Sequence, residues 1–540
     1  MLRVRWLGRV RYRDAHALQR GLFTTSADDH LLLLEHPHVY TLGVRADLGN
    51  LLVPPADVGA ELVRADRGGD VTYHGPGQLV GYPILTVPGK RGGGMADTVA
   101  YVHSVEQLLI DTLTDLGVRG AGRLDGYPGV WIEDRKIAAI GVKLNRGRTM
   151  HGFALNVAPD LSYFDHIIPC GIADKSVTSL AAEGHEVGMR AVVDALAARA
   201  TERWGRNGWE RQDVVWSTPH DRPLRLLGRL EEAGVTEGLS IESRKPAHVK
   251  ARLRITEDYV RLKKTMRDLS LVTVCEEAGC PNIFECWSDG TATFMINGER
   301  CTRACGFCLV DTRHPLPIDD SEPLRVAEAV MRMGLRHAVV TAVARDDLDD
   351  GGATAFAATI AAIRAQTPSV RVEVLIPDCK GDPGSLDTIF DAAPDVLNHN
   401  IETVARLQRA VRPNASYARS LAVLARAKAA GCTTKSGLIL GLGEREDEVI
   451  ATLADLCAVG TDIVTIGQYL RPTAQHLPVA RWWAPEEFAR LKSAGEALGI
   501  GHIESSALTR SSYHAGEAAN VAIVRRNPLA QKGTPRSVAK

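Results

Sequence analysis

A chain of 540 residues is too long for one ordinary domain. Its apolar fraction is 45%, and 64 basic against 65 acidic side chains leave a net charge of −1. Those figures exclude a disordered composition and give no basis for a nucleic-acid or membrane-surface partner. The opening MLRVRWLGRVRYRDAH is basic but is interrupted before an apolar signal core can form, and the longest apolar runs, such as Leu31–Leu34, fall far short of a membrane span. Ten cysteines are too sparse for a disulfide scaffold. Clustered thiols without a signal read as metal ligands in a reducing compartment, so a soluble cytoplasmic protein is expected.

The first stretch, 1–208, reads as α+β. LLLLEH, QLVGYPILTV, GVWIED, KIAAIGVKL and HGFALNV are strand-like segments bounded by Gly and Pro, and GVWIEDRKIAAIGVKL predicts a hairpin turning at Asp134–Arg135. Apolar residues from position 99 to 116 repeat with helical spacing after an Asp97 N-cap, and MRAVVDALAARATERWG predicts a second helix. Residues 209–243 weaken in pattern and read as a connector. A second domain, 244–540, divides into an extension (244–290), an alternating region (291–510) and a tail (511–540). Within the alternating region each helix leads to a strand, as LRVAEAVMRMG to HAVVTAV and EDEVIATLADLCAVG to DIVTIGQYL. Six or seven such strands are the pattern of a parallel β/α barrel, complete or partial. Polar residues gather where its strands end: Arg345, Asp346, Asp347, Asp378, His399, Asn400, Glu402 and Gln468.

Two stretches of the first domain carry candidate chemistry. RGGDVTYHGPGQLVGYP (67–83) packs four glycines around Thr72, Tyr73 and His74, which lets backbone approach a ligand closely. Its spacing fits neither a Walker loop nor a dinucleotide fingerprint, and a tight loop with a satisfied histidine would look the same. Cys170, between Pro and Gly in IIPCGIADKSVTSL, precedes every other cysteine by more than a hundred positions. A lone cysteine is more often packing than nucleophile. As a nucleophile it needs a nearby cation or base, and Lys136 is the candidate.

In the second domain, six of the ten cysteines form two triplets: Cys275, Cys280 and Cys286 (C-x4-C-x5-C), then Cys301, Cys305 and Cys308 (C-x3-C-x2-C). Structural zinc usually takes four ligands in paired C-x2-C knuckles, and neither triplet supplies two pairs. Three thiolates on a cubane cluster leave one iron open. Cys379, Cys432 and Cys457 have no ligand spacing and read as packing residues.

The C-x3-C-x2-C triplet at the head of a barrel resembles the radical S-adenosylmethionine superfamily. VCEEAGCPNIFECW, CTRACGFC, NHNIETV, TKSGLILGLGE, GQYLRPT, HLPVARWW and RSSYHAGE resemble lipoyl synthase from about position 244 to 525. That resemblance implies two 4Fe–4S clusters and S-adenosyl-L-methionine. One cluster, on Cys301, Cys305 and Cys308, would generate a 5′-deoxyadenosyl radical. The auxiliary one, on Cys275, Cys280, Cys286 and Ser512 (Ser511 being the competitor), would give its sulfides to C6 and C8 of a bound octanoyl chain. Ala342 and Ala344 depart from the Ser and Asp or Asn expected before RDDL.

LLLLEHPHVYTLG, RGGDVTYHGPGQLVGYP, DRKIAAIGVK, HGFALNVAPDL and IPCGI likewise resemble lipoyl(octanoyl) transferase, which shares its fold with biotin and lipoate protein ligases. This implies a Cys170 thioester formed from octanoyl-acyl carrier protein, with Lys136 lowering the thiol pKa and moving the proton. The implied acyl site is Arg67, Gly68, Gly69, Asp70, Val71, Thr72, Tyr73, His74, Ala139, Ile140, Gly141, Gly152, Phe153 and Ala154. Implied partners are lipoyl domains of 2-oxoacid dehydrogenase E2 subunits, the glycine cleavage H protein, and an electron donor such as ferredoxin or flavodoxin. The rival expectation is an ATP-dependent lipoate or octanoate ligase fused to an iron–sulfur electron carrier.

Overall fold

The computed structural model describes residues 1–89, 96–169, 175–216, 224–250, 257–269, 271–273, 282, 283, 286 and 291–526. The chain forms two compact units, Met1–Trp216 and Ser217–Lys540.

The strands of the first unit are β1 (Leu2–Arg9), β2 (Asp29–Glu35), β3 (Val39–Leu42), β4 (Glu61–Arg64), β5 (Val71–His74), β6 (Gln78–Ile84), β7 (Ala121–Leu124), β8 (Tyr127–Ile132), β9 (Arg135–Asn145), β10 (Arg148–Asn156), β11 (Ser176–Val177) and β12 (Trp209–Asp213). One mixed sheet runs β12-β1-β2-β6-β10-β9-β8-β7, with β11 added beside β9, and a small sheet runs β4-β3-β5. Leu31 to Leu34 are all buried, on both faces of β2. Such an unbroken apolar run needs cover on both sides. The helices Thr98–Asp115 and Met189–Trp204 supply it on one side, packing Val105, Leu108, Leu109, Val192 and Leu196 against Leu31, Leu33, Leu79 and Leu155. The helix Tyr12–Thr25 packs against β6 and β10. As expected, the Asp97 side chain caps its helix by accepting from the Ala100 N–H.

The predicted hairpin is β8–β9, but Ile132 pairs with Arg135, so its turn is Glu133–Asp134, one residue earlier than expected. Glu133 takes a positive φ of 54° there. Within the stretch 209–243, β12 pairs in parallel with β1.

The second unit holds β13 (Val272–Thr273), β14 (Thr291–Ile296), β15 (His337–Ala342), β16 (Arg371–Leu375), β17 (Val396–Asn398), β18 (Thr434–Leu440), β19 (Ile463–Gln468) and β20 (His502–Ser505) in that spatial order. β14 to β20 are parallel, and a helix or helix pair follows each, from Glu322–Met333 to Ala515–Arg526. Among the described residues β20 pairs with β19 alone, so the barrel is partial. A short helix, Leu226–Glu232, and the segment after it pack on this barrel: Glu232 pairs with Arg409 at 3.2 Å, and the Leu239 N–H donates to the Val479 carbonyl at 2.7 Å. Among the described residues no helix is long and apolar enough to cross a membrane.

Candidate functional sites

A cleft of about 460 Å³, solvent at its mouth included, opens in the first unit. Arg67, Gly68, Gly69, Thr72, His74, Ala139, Ile140, Gly141, Gly152, Phe153 and Ala154 line it together with Tyr12, Tyr82 and His151. Three segments meet here because the adjacent strands β9 and β10 pair Ala139 with Ala154 and Gly141 with Gly152, and the glycine loop, more than sixty residues earlier, folds over them. The Gly68 N–H donates to the Val142 carbonyl at 3.0 Å. Glycine is required here for closeness: a Cβ on Gly152 would lie 2.2 Å from the Gly81 carbonyl oxygen. Arg67 is buried and donates to the Thr41 carbonyl at 2.6 Å and to Thr41 Oγ1 at 2.8 Å. Three residues from the implied acyl site do not line the cleft. The Asp70 side chain instead accepts from Asn50, while Val71 and Tyr73 sit in a separate apolar cluster with Tyr40, Leu42 and Phe164.

Burial sets the electrostatics of this cleft. Desolvation pushes His74 down to about 3 and Tyr12 up to about 12, so both are neutral at pH 7. Beside the cleft, Asp66 Oδ1 accepts from His151 Nε2 at 2.8 Å and from His16 Nε2 at 3.1 Å. These bonds, with Lys143 on the other oxygen at 2.5 Å, hold the Asp66 carboxyl far below its usual range. Tyr12, His16, Asp66 and Tyr82 were not singled out from sequence, and His151 appeared only as the residue before Gly152.

Lys136 lies on β9, buried, with Nζ 4.6 Å from the Trp131 ring centroid. Cys170 falls outside the described residues, but both flanks are fastened. The Ile168 N–H donates to the Asn50 carbonyl at 2.8 Å, and Val177 on β11 pairs with Lys136 itself.

In the second unit the loop after β14 carries Cys301, Cys305 and Cys308 across the C-terminal ends of the barrel strands. The Thr302 N–H and hydroxyl both donate to the Ala344 carbonyl, at 3.0 and 2.9 Å. The Gly306 N–H reaches the Val411 carbonyl at 2.9 Å, and His476 Nε2 bonds the Cys308 carbonyl at 2.9 Å. Because Ala344 is engaged through its backbone, an alanine there leaves these contacts intact. Arg303 binds both oxygens of Asp346, at 2.7 and 2.8 Å, and Asp378 at 2.6 Å. Burial alone would raise Asp378; the Arg303 charge and hydrogen bond outweigh it and hold the carboxyl at about 2.

Burial pushes the Cys305 thiol up to about 11 and Cys308 to about 12. Each is raised further by neighbouring thiols of the triplet, which places the three in one electrostatic site. Glu402, at a strained φ of 67°, and Arg412 stand close enough to shift Cys305 in opposite senses.

Of the first triplet, Cys275 and Cys280 fall outside the described residues; Cys286 is described and buried. Cys286 shares an apolar cluster with Ile283 and Phe294, against which Tyr513 packs, and Asn282 Nδ2 donates to the Leu508 carbonyl at 2.6 Å. The segments of Cys286 and of Ser511–Ser512 are thus fastened to one core. Cys379 and Cys432 are buried in that same cluster, and Cys457 Sγ lies 3.1 Å from the Leu498 carbonyl.

A curated lipoyl synthase of Rubrobacter xylanophilus is 53% identical over 330 residues, covering 61% of this chain and 100% of that protein. The chain belongs to the lipoyl synthase family. A second lipoyl synthase, from Mycobacterium tuberculosis, is 55% identical over 292 residues, 54% of this chain and 93% of its own length. The family profiles agree: the radical SAM superfamily matches residues 295–456, and the N-terminal domain of lipoyl synthase matches 199–280. The lipoyl protein ligase A/B catalytic domain matches residues 11–201, which places a lipoate-ligase-type fold in the first unit. Among solved structures, a putative lipoate protein ligase from T. acidophilum aligns at TM-score 0.33 and 17% identity, over 41% of this chain and 90% of that one.

Radical SAM and lipoyl synthase membership implies an iron–sulfur cluster and S-adenosylmethionine. The residues present fit that group. Three half-buried thiols act on one another electrostatically at the strand ends, and Asn400 Oδ1 is buried at the same barrel mouth without a hydrogen-bond partner.

Proposed function

We propose that this chain performs two consecutive steps of protein lipoylation. The first unit transfers an octanoyl group to a lysine of a lipoyl carrier domain; the second inserts two sulfurs into that group. What carries the reading is one chain that joins a lipoyl ligase A/B catalytic domain, with a glycine-lined cleft, to the whole length of a lipoyl synthase.

In the first step Cys170 takes the acyl group of octanoyl-acyl carrier protein as a thioester, releasing the carrier's thiol. Lys136 favours the thiolate and moves the proton. The cleft holds the eight-carbon chain against Ile140, Phe153 and the glycines, out of water. The carrier lysine then attacks the thioester carbonyl, an amide forms, and the Cys170 thiol leaves. Acceptors of this class are the lipoyl domains of 2-oxoacid dehydrogenase E2 subunits and the glycine cleavage H protein.

In the second unit Cys301, Cys305 and Cys308 would hold one 4Fe–4S cluster; Cys275, Cys280, Cys286 and Ser512 would hold another. When bound, the first with S-adenosylmethionine supplies a hydrogen-abstracting radical at C6 and C8, and the second supplies sulfur. The residues around the strand ends orient and shield: Arg303, Asp346 and Asp378 fix the loop, and Asn400 offers an acceptor to a polar ligand. A low-potential donor such as ferredoxin or flavodoxin would deliver electrons, in the cytoplasm, where thiols stay reduced. Joining both units in one chain raises the effective concentration of the second site for a carrier released by the first.

The test is the intact mass of an apo lipoyl domain after anaerobic incubation with this protein, octanoyl-acyl carrier protein, S-adenosylmethionine and a strong reductant. Gain of an octanoyl group and then two sulfurs supports both steps. Arrest at octanoyl removes the second. No acylation without ATP and free octanoate would replace the transferase with a ligase.

A further inference from the structure

Within C-T-R-A-C-G-F-C, residue 303 is an arginine, and it is buried: only 8% of it is exposed. Its guanidinium spans two strand ends. Nε and Nη2 bind the two oxygens of Asp346, just beyond β15, and Nη2 also binds Asp378, just beyond β16. Asp378 is fully buried, and its second oxygen lies 3.6 Å from Arg419. The neighbour Thr302 is fastened to the same place, since its Oγ1 accepts from the Asp346 N–H at 3.0 Å. Both residues that follow Cys301 are therefore clamped to the barrel through side chains. The consequence falls on the ligand: the Arg303 backbone N–H points at Cys301 Sγ, 3.4 Å away.

We propose that Arg303 is a positioning residue for the barrel-head cluster. Its two-carboxylate clamp fixes the Cys301–Cys305 loop before iron arrives and aims its own N–H at the Cys301 sulfur. Hydrogen bonds to ligand sulfur stabilise the more negative, reduced cluster and so raise its potential. Residues that orient metal ligands typically change metal affinity by about ten- to a hundredfold when altered. Lysine keeps the charge but has no planar fork to span Asp346 and Asp378 together. This assignment rests on the reading that the second cysteine triplet holds iron.

The experiment uses the full chain with Cys275, Cys280 and Cys286 changed to alanine, leaving one cluster of about four irons, reconstituted anaerobically. Arg303→Lys is added to that parent. Expected are a reduced-cluster EPR signal that appears only at lower potential than in the parent, and iron loss to a chelator about tenfold faster or more. Asp346→Asn, which keeps the arginine, is expected to speed iron loss as well. Unchanged potential and unchanged iron loss in Arg303→Lys overturn the proposal. Should Arg303→Lys fail to fold by its melting curve, the iron-loss rate of Asp346→Asn decides in either direction. A parent that binds no iron would overturn the cluster reading and this assignment with it.

Discussion

Val177 stands opposite Lys136 in the parallel pairing of β11 with β9. Val177 lies seven positions after Cys170, so the strand that carries the candidate cation also anchors the segment that carries the candidate nucleophile. Lys136→Met removes the charge while keeping much of the apolar stem beneath Trp131. It is expected to slow octanoyl transfer by about 10²–10⁴-fold, the range for a positioned proton carrier. The thiol that remains ionises at higher pH without a cation beside it, so the pH profile of thioester formation moves upward. Mass spectrometry of the acylated chain between pH 6 and 9 would show both effects; an unmoved profile would take Lys136 out of the reaction.

Gly81 on β6 pairs with Phe153 on β10, and a Cβ at Gly81 would lie 2.1 Å from Phe153 Cζ. Phe153 also lines the cleft. Gly81→Ala must push that ring aside, and the cleft that the ring lines changes shape with it. Overpacking of this kind costs about 1–3 kcal/mol. The accepted acyl chain should shorten below eight carbons, measured as relative thioester formation from carrier proteins bearing C4 to C10 chains. Equal preference in parent and variant would remove Phe153 from chain-length selection.

His36 and His74 make the first unit acid-sensitive. His36 Nδ1 donates to the Val10 carbonyl at 2.7 Å, which leaves Nε2 to accept from the Tyr82 hydroxyl at 2.7 Å. Desolvation lowers His36 from 6.5 to about 4, and His74 to about 3. Between pH 6.5 and 4 the unfolded chain takes up protons that the folded unit refuses, so stability falls as pH falls. A depression from 6.5 to about 4 amounts to on the order of 3 kcal/mol. Melting temperature followed from pH 7.5 to 4.5 should drop steeply below 6.5, and His36→Gln should flatten that slope. An unchanged slope in the variant would show that other groups drive the loss.

The parts of this molecule legible in its sequence are those written in local spacing. The two cysteine triplets, the glycine loop at 67–77 and the strand–helix alternation after β14 each declare themselves within some thirty residues. The helix Tyr12–Thr25 did not, because its buried stripe of Tyr12, Ala15, Leu18 and Leu22 is narrow and sits among charged residues. With it went Tyr12, which lines the cleft. Asp66 and His151 lie 85 positions apart and meet only through the pairing of distant strands. No periodicity marks such a pair. Arg303 was visible but silent, since its meaning depends on Asp346 and Asp378 arriving from two other strand ends. The hairpin turn was misplaced by one residue because Glu133, not a glycine or asparagine, takes the positive φ.

Inside the barrel, Lys435 and Glu373 are both fully buried, with Nζ 2.9 and 3.2 Å from the two carboxylate oxygens. Asn398 and His337 add weaker contacts to the same carboxylate, at 3.3 and 3.4 Å. Removing one member of such a pair strands the other charge, at a cost of about 3–5 kcal/mol. Lys435→Met should lower the stability of the second unit by that amount in chemical denaturation. Adding Glu373→Leu should recover most of the loss, because two apolar groups of similar volume need no partner. A double variant as unstable as the single would mean that the polar contacts of Asn398 and His337, not the ion pair, hold this part of the barrel.

The tail motif RSSY raises a choice between two adjacent serines that spacing cannot make. Tyr513 packs on the core that holds Cys286, and Leu508 is tied to Asn282, so either serine comes from a segment already fastened beside the first triplet. A serine alkoxide is a harder ligand than thiolate and a poorer match for iron–sulfur cores, so in the proposed auxiliary cluster it would be the ligand to release if sulfur is drawn from that cluster. With Ser512 as that ligand, Ser512→Ala should retain about half the iron of the parent, like Cys286→Ala, while Ser511→Ala keeps all of it. Ser512→Cys should keep full iron yet hold the cluster too firmly for sulfur to leave, so a lipoyl domain would accumulate octanoyl groups without the added mass of sulfur. Iron and sulfide analysis beside intact-mass measurement separates these outcomes. Half-loading in Ser511→Ala with full loading in Ser512→Ala would move the ligand by one residue and leave the chemistry as it stands.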